Sequence, residues 1–258
     1  MQLKIQKGNG LEGEITVPGD KSISHRSIMI ASLADGKSEI SGFLEGEDCL
    51  ATIKVFQKMG IDISRQRGVL VVDGKGLKGL QDPSSDLDFG NSGTSVRLCS
   101  GVLAAQEFSS ILIGDKSLSS RPMKRIIDPL SLMGANVSSS EGGTLPLKIE
   151  PVDFLRSVKY SLPMASAQVK SCLLFASLYS QGVAEIEERE VWAKWYTKPE
   201  ADAGPKPPPL STGRNFCVVP REDHFALAGS VRVAAAACKR EKPVLLLLQF
   251  HETRPRAV

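Results

Sequence analysis

The feature that most constrains the fold of this chain is an internal repeat. Three segments run from a hydroxyl-rich polar loop into a helix of small apolar residues and then into a strand-like stretch: DKSISHRSIMIASLADGKSEI, GNSGTSVRLCSGVLAAQEFSSILI and MASAQVKSCLLFASLYSQGVAEI. Aligning Ser22, Ser92 and Ser166 gives periods of 70 and 74 residues. A period this long repeats a whole packed unit, whereas solenoid repeats are shorter.

A second repeated element follows the first two segments. TIKVFQKMGIDI and RIIDPLSLMGANV are amphipathic helix patterns that end in Met-Gly, and Met59 and Met133 are again 74 residues apart. Behind them, GVLVVDG and GTLPLKIE alternate as strands do, with glycine at the turns. The sequence therefore predicts α/β units of the form βαβαββ, near residues 20–80 and 90–150, with a partial third from 160.

The first helix of each unit is apolar on nearly every face, as in ASLADG, GVLAAQ and LLFASLYS, which is typical of a helix buried at the centre of a domain. Each helix N-terminus leaves backbone N–H groups unpaired and carries roughly half a positive charge. Three such helices side by side would bring their N-termini together. The pattern therefore predicts an anion site for phosphate or carboxylate, with Lys21 and Arg26 beside it.

Each of these polar residues also has a purely structural interpretation. Ser22 or Ser24 can serve as a helix N-cap, and Arg97 can form a structural ion pair. His25 is more often a hydrogen-bonded structural residue than a catalytic one. Asp20 and the acidic run at 45–48 are expected to be solvated or paired with nearby bases.

The charge and cysteine patterns exclude several classes of protein. The formal net charge of +3 arises in the tail, because residues 1–190 carry 21 basic and 23 acidic side chains while 191–258 carry 11 and 6. The tail has no basic helix or Arg-aromatic alternation, so we expect no nucleic-acid partner. The five cysteines are scattered, and no apolar run approaches the ~18 residues of a membrane span. We expect a cytoplasmic protein with reduced thiols, no metal and no membrane partner.

Five motifs in order resemble one family. PGDKSISHRS, FLEGEDCLAT, FGNSGTSVRL, GDKSLSSRPMKRIIDPL and LPMASAQVKSCLL are similar to 5-enolpyruvylshikimate-3-phosphate (EPSP) synthase, the carboxyvinyl transferase of the shikimate pathway, over about residues 8–188. The form MASAQVKS resembles the second class of these enzymes. The resemblance implies an inside-out α/β barrel of βαβαββ repeats, with about one of the family's two domains present.

The resemblance also implies an activity and a set of site residues. The family transfers the enolpyruvyl group of phosphoenolpyruvate to the 5-hydroxyl of shikimate 3-phosphate and releases phosphate, without metal or organic cofactor. Lys21 would be the catalytic residue. Shikimate 3-phosphate would bind to Lys21, Ser22, Arg26, Ser166, Ala167 and Gln168, and phosphoenolpyruvate to Lys21, Asn91, Gly93, Thr94, Arg121 and Gln168. Resistant members of the second class carry alanine where this chain has Gly93, so the resemblance implies that a restored full-length enzyme would be sensitive to glyphosate.

The last part of the chain departs from the family. After AEIEE the sequence reads VWAKWYTKPEADAGPKPPPLSTGRNF, and eight of the fifteen prolines fall in 191–258. Pro207, Pro208 and Pro209 cannot continue a helix. We therefore expect one domain over 1–190 and a divergent, proline-rich tail over 191–258. A shifted reading frame and a poorly ordered segment both remain open as explanations.

Three functions are consistent with these observations. The first is the full carboxyvinyl transferase reaction, expected of a monomer if the chain is complete. The second is a half-enzyme that binds shikimate 3-phosphate without turnover, because the family's second half is absent. The third, an enolpyruvyl transferase acting on UDP-N-acetylglucosamine, is disfavoured because KSISHR and MASAQVKS match the shikimate enzyme better.

Overall fold

The computed structural model describes residue 15, residues 17–188 and residues 214–218. The helices are α1 (Lys21–Leu33), α2 (Glu47–Lys58), α3 (Gly93–Leu103), α4 (Lys116–Ser119), α5 (Lys124–Leu132) and α6 (Ala167–Ser177). The strands are β1 (Asp35–Ile40), β2 (Asp62–Gln66), β3 (Val69–Lys75), β4 (Leu87–Asp88), β5 (Ser110–Ile113), β6 (Asn136–Ser140), β7 (Thr144–Glu150), β8 (Leu155–Arg156), β9 (Lys159–Leu162), β10 (Ser180–Gln181), β11 (Ala184–Glu188) and β12 (Arg214–Val218).

The three units share one sheet topology. The first sheet has the order β1-β3-β2 and the second β4-β5-β7-β6, so in each the strand after the buried helix pairs antiparallel with the last strand of the unit. The strands before and after the buried helix are parallel in units two and three, as β4-β5 and β9-β11. In the third sheet, β12 pairs antiparallel with β11. β12 therefore has the position that β3 and β7 have in their own units. The predicted repeat is therefore present as a repeated topology.

The repeated Met-Gly pair ends the amphipathic helices in the same way. After α2, Ile61 N donates to Phe56 O at 3.1 Å and Gly60 N donates to Gln57 O at 3.0 Å. After α5, residues 134 and 135 make the same two bonds, at 2.9 and 3.0 Å. This is the Schellman arrangement, which requires a left-handed residue, and Gly60 has a φ of 84°.

The helices of small residues lie inside and the sheets outside. Ten of the eleven residues of α3 and eight of the eleven residues of α6 are buried. The outer strands β2 and β6 are mostly exposed. One continuous cluster of buried apolar side chains joins the units, with Phe56, Phe89 and Phe175 among its members. This arrangement confirms the predicted inside-out α/β fold.

The central helix pair α3 and α6 packs backbone against backbone. At Gly101 an added Cβ would lie 2.9 Å from the carbonyl carbon of Cys172 and closer still to its oxygen. Only glycine allows this approach. Small residues close to this contact in the sequence, such as Ser100 in α3 and Ala176 in α6, are fully buried. The small-residue composition noted in the sequence thus serves close packing of the inner helices.

Two predictions lie partly outside the described residues. The strand expected before α1 falls on residues of which only 15 and 17–20 are described, and these form no strand. In the tail, the described part is β12, so the expected domain boundary at 190 and the proline run at 207–209 lie outside the described residues. Among the described residues, no helix is long and apolar enough to cross a membrane.

Candidate functional site

The candidate site begins with the capped N-termini of the three inner helices. The Asp20 carboxylate accepts from Ile23 N at 2.8 Å and caps α1. The Ser92 and Ser166 hydroxyls cap α3 and α6 by accepting from the backbone three residues on. The structure therefore corrects the repeat alignment, since Asp20 and not Ser22 occupies the cap position of α1. Ser22 is left exposed in the first turn.

Side-chain hydrogen bonds show that these N-termini lie together. Arg26, in the second turn of α1, donates to Ser171 Oγ of α6 at 2.8 Å across 145 residues of sequence. Gln168, in the first turn of α6, donates from Nε2 to Thr94 Oγ1 of α3 at 3.1 Å. The first two turns of all three helices thus lie together, as the sequence predicted. Their unpaired N–H groups and dipoles create a positive potential at this position.

Lys21 is the first residue of α1, and half of its side-chain surface is exposed. It pairs with Asp48 at the start of α2, so the acidic run at 45–48 supplies a partner for a predicted site residue. A cleft between Lys21 and residues 46–49 opens beside this pair. An exposed cation that is paired with a carboxylate on a neighbouring helix is well placed to exchange that partner for an anionic ligand.

A second group of predicted residues surrounds the N-terminus of α3. Arg121 donates to the side-chain oxygen of Asn91 and to Ser117 Oγ at 3.2 Å. An added Cβ at Gly93 would lie 3.0 Å from Arg121 Nη1 and 2.9 Å from Arg97 Nη1. Gly93 therefore gives two guanidinium groups direct access to the backbone at the helix end. Such a fork suits bidentate binding of carboxylate or phosphate.

The surroundings of Arg97 differ from the ion pair expected in its structural interpretation. Arg97 is buried, yet no carboxylate within the described part of the chain pairs with it; it donates instead to Gln168 Oε1 at 2.9 Å and to the carbonyls of Gly93 and Pro122, each at 3.3 Å. Burial, followed by the charges of Arg125 and Arg121, lowers the pKa of Arg97 to about 10, so it remains a cation at neutral pH. The guanidinium groups of Arg97, Arg121 and Arg125 lie close together, and their positive charges favour the binding of an anion.

His25 is a structural residue, as its sequence context indicated. It is fully buried, and its Nδ1 shares a hydrogen bond of 2.7 Å with Thr52 Oγ1, which in turn bonds Ser95 Oγ at 2.8 Å. Burial, with a further contribution from Lys21, lowers the pKa of His25 to about 4. This chain of polar groups ties α1, α2 and α3 together beneath the site. Thr52 and Ser95 were not singled out from sequence, since neither lies in an unusual local pattern.

Of the other predicted residues, Ala167 is exposed at the first position of α6, next to the Ser166 cap. Arg125 was not predicted, although it donates from Nη2 to Gln168 Oε1 at 3.3 Å. The only signal for Arg125 in the sequence is its place in the motif RPMKR. The structure therefore gathers Lys21, Ser22, Arg26, Asn91, Gly93, Thr94, Arg121, Ser166, Ala167 and Gln168 at the N-terminal ends of α1, α3 and α6 or in the loops beside them.

The comparison with known proteins agrees with this geometry. The family model described as EPSP synthase (3-phosphoshikimate 1-carboxyvinyltransferase) matches residues 5–197. The chain belongs to the EPSP synthase family. This match includes all three buried helices and every residue of the candidate site.

Individual members of the EPSP synthase family give the extent of the similarity. A 3-phosphoshikimate 1-carboxyvinyltransferase of Hydrogenovibrio crunogenus is 54% identical over 189 residues, which are 73% of this chain and 42% of that protein. One of Coxiella burnetii is 55% identical over 190 residues, covering 73% of this chain and 43% of that protein. The EPSP synthase structure from Acinetobacter baumannii aligns with a TM-score of 0.67 and 51% identity, over 69% of this chain and 41% of that one. The chain thus spans well under half the length of these relatives.

Proposed function

We propose that this chain is the substrate-binding half of a 3-phosphoshikimate 1-carboxyvinyltransferase, and that by itself it binds shikimate 3-phosphate without turnover. The complete reaction transfers the enolpyruvyl group of phosphoenolpyruvate to the 5-hydroxyl of shikimate 3-phosphate and releases phosphate. The observation that carries the proposal is the meeting of the first two turns of α1, α3 and α6, joined by the Arg26–Ser171 and Gln168–Thr94 hydrogen bonds.

The phosphate of shikimate 3-phosphate fits the junction of α1 and α6. Lys21 and Arg26 supply two cations, and the hydroxyls of Ser22 and Ser166 can donate hydrogen bonds. Burial lowers the pKa of Arg26, and an anion would offset this desolvation. Charge-assisted hydrogen bonds to phosphate are about twice as strong as neutral ones. The Ser22 side chain, which is exposed and does not cap α1, is consistent with this role.

Phosphoenolpyruvate fits the neighbouring group around α3. Arg121 offers a guanidinium fork, and Gly93 lets an anion approach the backbone N–H groups of the helix end. Asn91 holds the Arg121 guanidinium in place, while Thr94 holds Gln168 between the two groups. The two anionic substrates would thus lie side by side, with Lys21 and Gln168 between them.

Binding alone does not complete the chemistry. The reaction needs one proton delivered to the enol carbon and another removed from the 5-hydroxyl, and general acid–base help contributes about 10²–10⁴-fold. Within the described residues, His25 is buried and hydrogen-bonded to Thr52, so it is not placed as a free acid or base. The second candidate, full transferase activity, is favoured by the names of relatives that are 54% identical.

We also propose that the protein is cytoplasmic, that it binds small molecules, and that the complete enzyme is a monomer. Cys49, Cys99 and Cys172 are free and buried, which supports a reducing compartment. Burial raises the pKa of Cys49 to about 11 and that of Cys99 to about 12, so neither thiol is a reactive thiolate at neutral pH.

Isothermal calorimetry of the purified chain with shikimate 3-phosphate tests the binding proposal. Lys21→Ala and Arg26→Ala should each weaken binding by about 1.5–3 kcal/mol, the range for a hydrogen bond to a charged group. Lys78→Ala is the control, because it also removes one positive charge but Lys78 pairs with Glu107, beyond the C-terminal end of α3. Equal affinities in wild type and both site variants would show that the phosphate site lies elsewhere.

A phosphate-release assay with both substrates distinguishes the two candidates. We expect no turnover from the chain alone. Turnover that copurifies with the chain and disappears in Lys21→Ala would instead establish the full transferase and refute the half-enzyme.

A further inference from the structure

The hydrogen bonds of Gln168 determine which way its side-chain amide faces. Oε1 accepts from Arg97 Nη1 at 2.9 Å and from Arg125 Nη2 at 3.3 Å, and Nε2 donates to Thr94 Oγ1 at 3.1 Å. A guanidinium group has only donors, so the atom that faces both arginines must be the carbonyl oxygen. The reversed amide would set N–H groups against two guanidinium groups. The surroundings of Gln168 therefore allow a single orientation.

Contacts other than the one with Gln168 also hold the Arg97 side chain in place. Its exposed fraction is 4%, and it also donates to the carbonyl oxygens of Gly93 and Pro122. These contacts join the first turn of α3 to the loop before α5. Because Arg97 is held on two further sides, it acts as a fixed donor against which the α6 side chain is oriented.

Arg125 approaches the same oxygen from α5. Arg125 is exposed, and no carboxylate of the described residues forms an ion pair with Arg97, Arg121 or Arg125. The pKa of Arg97 is lowered first by burial and then by the like charges of Arg125 and Arg121, which are unfavourable near a buried arginine. The cost is offset where the oxygen of an amide accepts from both guanidinium groups and an anion binds nearby.

We propose that Arg97 and Arg125 are positioning residues for Gln168, holding its carbonyl oxygen so that its amide N–H groups face Thr94 and the bound substrate. Nε2 carries two hydrogens, and the bond to Thr94 uses one of them. The second is directed to the ligand between α3 and α6. The proposal rests on the proposed function, because it specifies how that substrate site is ordered before the ligand arrives.

A ligand-free NMR experiment tests the orientation itself. In ¹⁵N-labelled chain, the Gln168 side-chain amide is assigned by its loss in Gln168→Ala. We expect a nuclear Overhauser contact between the Gln168 amide protons and the Thr94 methyl group. Arg97→Lys and Arg125→Met should shift the Gln168 resonances and weaken that contact. Lys124→Met, which removes the neighbouring positive charge on α5, should leave both unchanged. If Arg97→Lys and Arg125→Met also leave them unchanged, the proposal is wrong.

A double-mutant cycle tests the consequence for binding. Calorimetry with shikimate 3-phosphate should show that Arg125→Met weakens binding about 3- to 10-fold in wild type but less than about 2-fold in Gln168→Ala. Arg125→Lys should restore part of the loss. A general charge effect would weaken binding equally in both backgrounds and would overturn the positioning role. Urea denaturation of the same variants measures their stability. If Arg125 has a purely structural role, Arg125→Met changes the stability, but its effect on binding does not depend on Gln168.

The two proposals fail in different ways. If the wild-type chain does not bind shikimate 3-phosphate but the Gln168 amide responds to both arginine variants as expected, the proposed function fails and the positioning stands. If the wild type binds and the amide does not respond, the proposed function stands and the positioning role of Arg97 and Arg125 is refuted.

Discussion

Replacing Gly101 by alanine should disturb both stability and the site, although residue 101 lies two turns from the N-terminus of α3. The added Cβ would lie 2.9 Å from the carbonyl carbon and 3.2 Å from the Cα of Cys172, with the carbonyl oxygen nearer still. These atoms belong to the backbone of α6 and cannot rotate away. Gly101→Ala therefore forces α3 and α6 apart.

The magnitude follows from two opposing effects. Overpacking of a core costs typically about 1–3 kcal/mol, and a contact with backbone on both sides belongs at the upper end. Alanine in place of glycine gains about 1 kcal/mol of helix propensity. The net expectation is a loss of about 2 kcal/mol of the free energy of unfolding. For a domain of this size, that corresponds to a melting temperature lower by about 4–8 °C.

The same displacement should reach the site. The Arg97–Gln168 bond of 2.9 Å and the Gln168–Thr94 bond of 3.1 Å both cross from α3 to α6. A shift of about 1 Å would lengthen them beyond hydrogen-bonding distance. We therefore expect shikimate 3-phosphate to bind about 5- to 10-fold more weakly to Gly101→Ala, at a temperature where the variant is still folded.

Urea denaturation followed by circular dichroism measures the stability, and calorimetry measures the affinity. Gly46→Ala is the matched control for stability, because residue 46 has a φ of −75° and its added Cβ would meet only the Leu44 side chain, at 3.9 Å. It should cost less than about 1 kcal/mol. Unchanged stability and affinity in Gly101→Ala would refute the conclusion that direct backbone contact between α3 and α6 supports the site.

Two further predictions concern His25 and Gly93. The pKa of His25 is lowered from 6.5 to about 4, so between these values the unfolded chain binds a proton that the native chain does not. Stability should be fully present above about pH 6.5 and fall by up to about 3 kcal/mol as the pH decreases to 4. His25→Asn should remove this part of the pH dependence in urea denaturation, and identical pH profiles would contradict the assignment. A methyl group at position 93 would displace the guanidinium groups of Arg97 and Arg121. Gly93→Ala should therefore weaken phosphoenolpyruvate binding about 10-fold in the presence of shikimate 3-phosphate. The affinity for shikimate 3-phosphate itself should change less than about 2-fold. If calorimetry shows that shikimate 3-phosphate loses more affinity than phosphoenolpyruvate, the two substrates bind at different positions from those proposed.

Much of the fold could be predicted because its signals are local. The Met-Gly ends of α2 and α5 identify helix termini, since a left-handed residue after the last turn favours glycine. The small apolar residues of α3 and α6 indicate burial, which the structure confirms. The inside-out α/β fold that the family resemblance implied is likewise confirmed, and the repeat of buried helices and strand patterns, at spacings of 70 and 74 residues, had indicated its units.

The partners of the polar residues could not be predicted in the same way. The alignment of Ser22 with Ser92 and Ser166 was wrong by two positions for the cap, because the sequence around α1 offers several residues able to cap a helix. The sequence allows a structural ion pair for Arg97, but its side-chain acceptor is Gln168, which is 71 residues away. Arg125 was not singled out at all.

By itself, the sequence determined the repeat, the burial of the inner helices and the positive character of their N-termini, since each depends on residue type and spacing along the chain. Only the tertiary structure decided which side chains meet at the site. The bond from Arg26 to Ser171 spans 145 residues, and the one from Gln168 to Thr94 spans 74. Such contacts depend on how closely α1, α3 and α6 approach, and that distance is set by packing, as at Gly101 against Cys172.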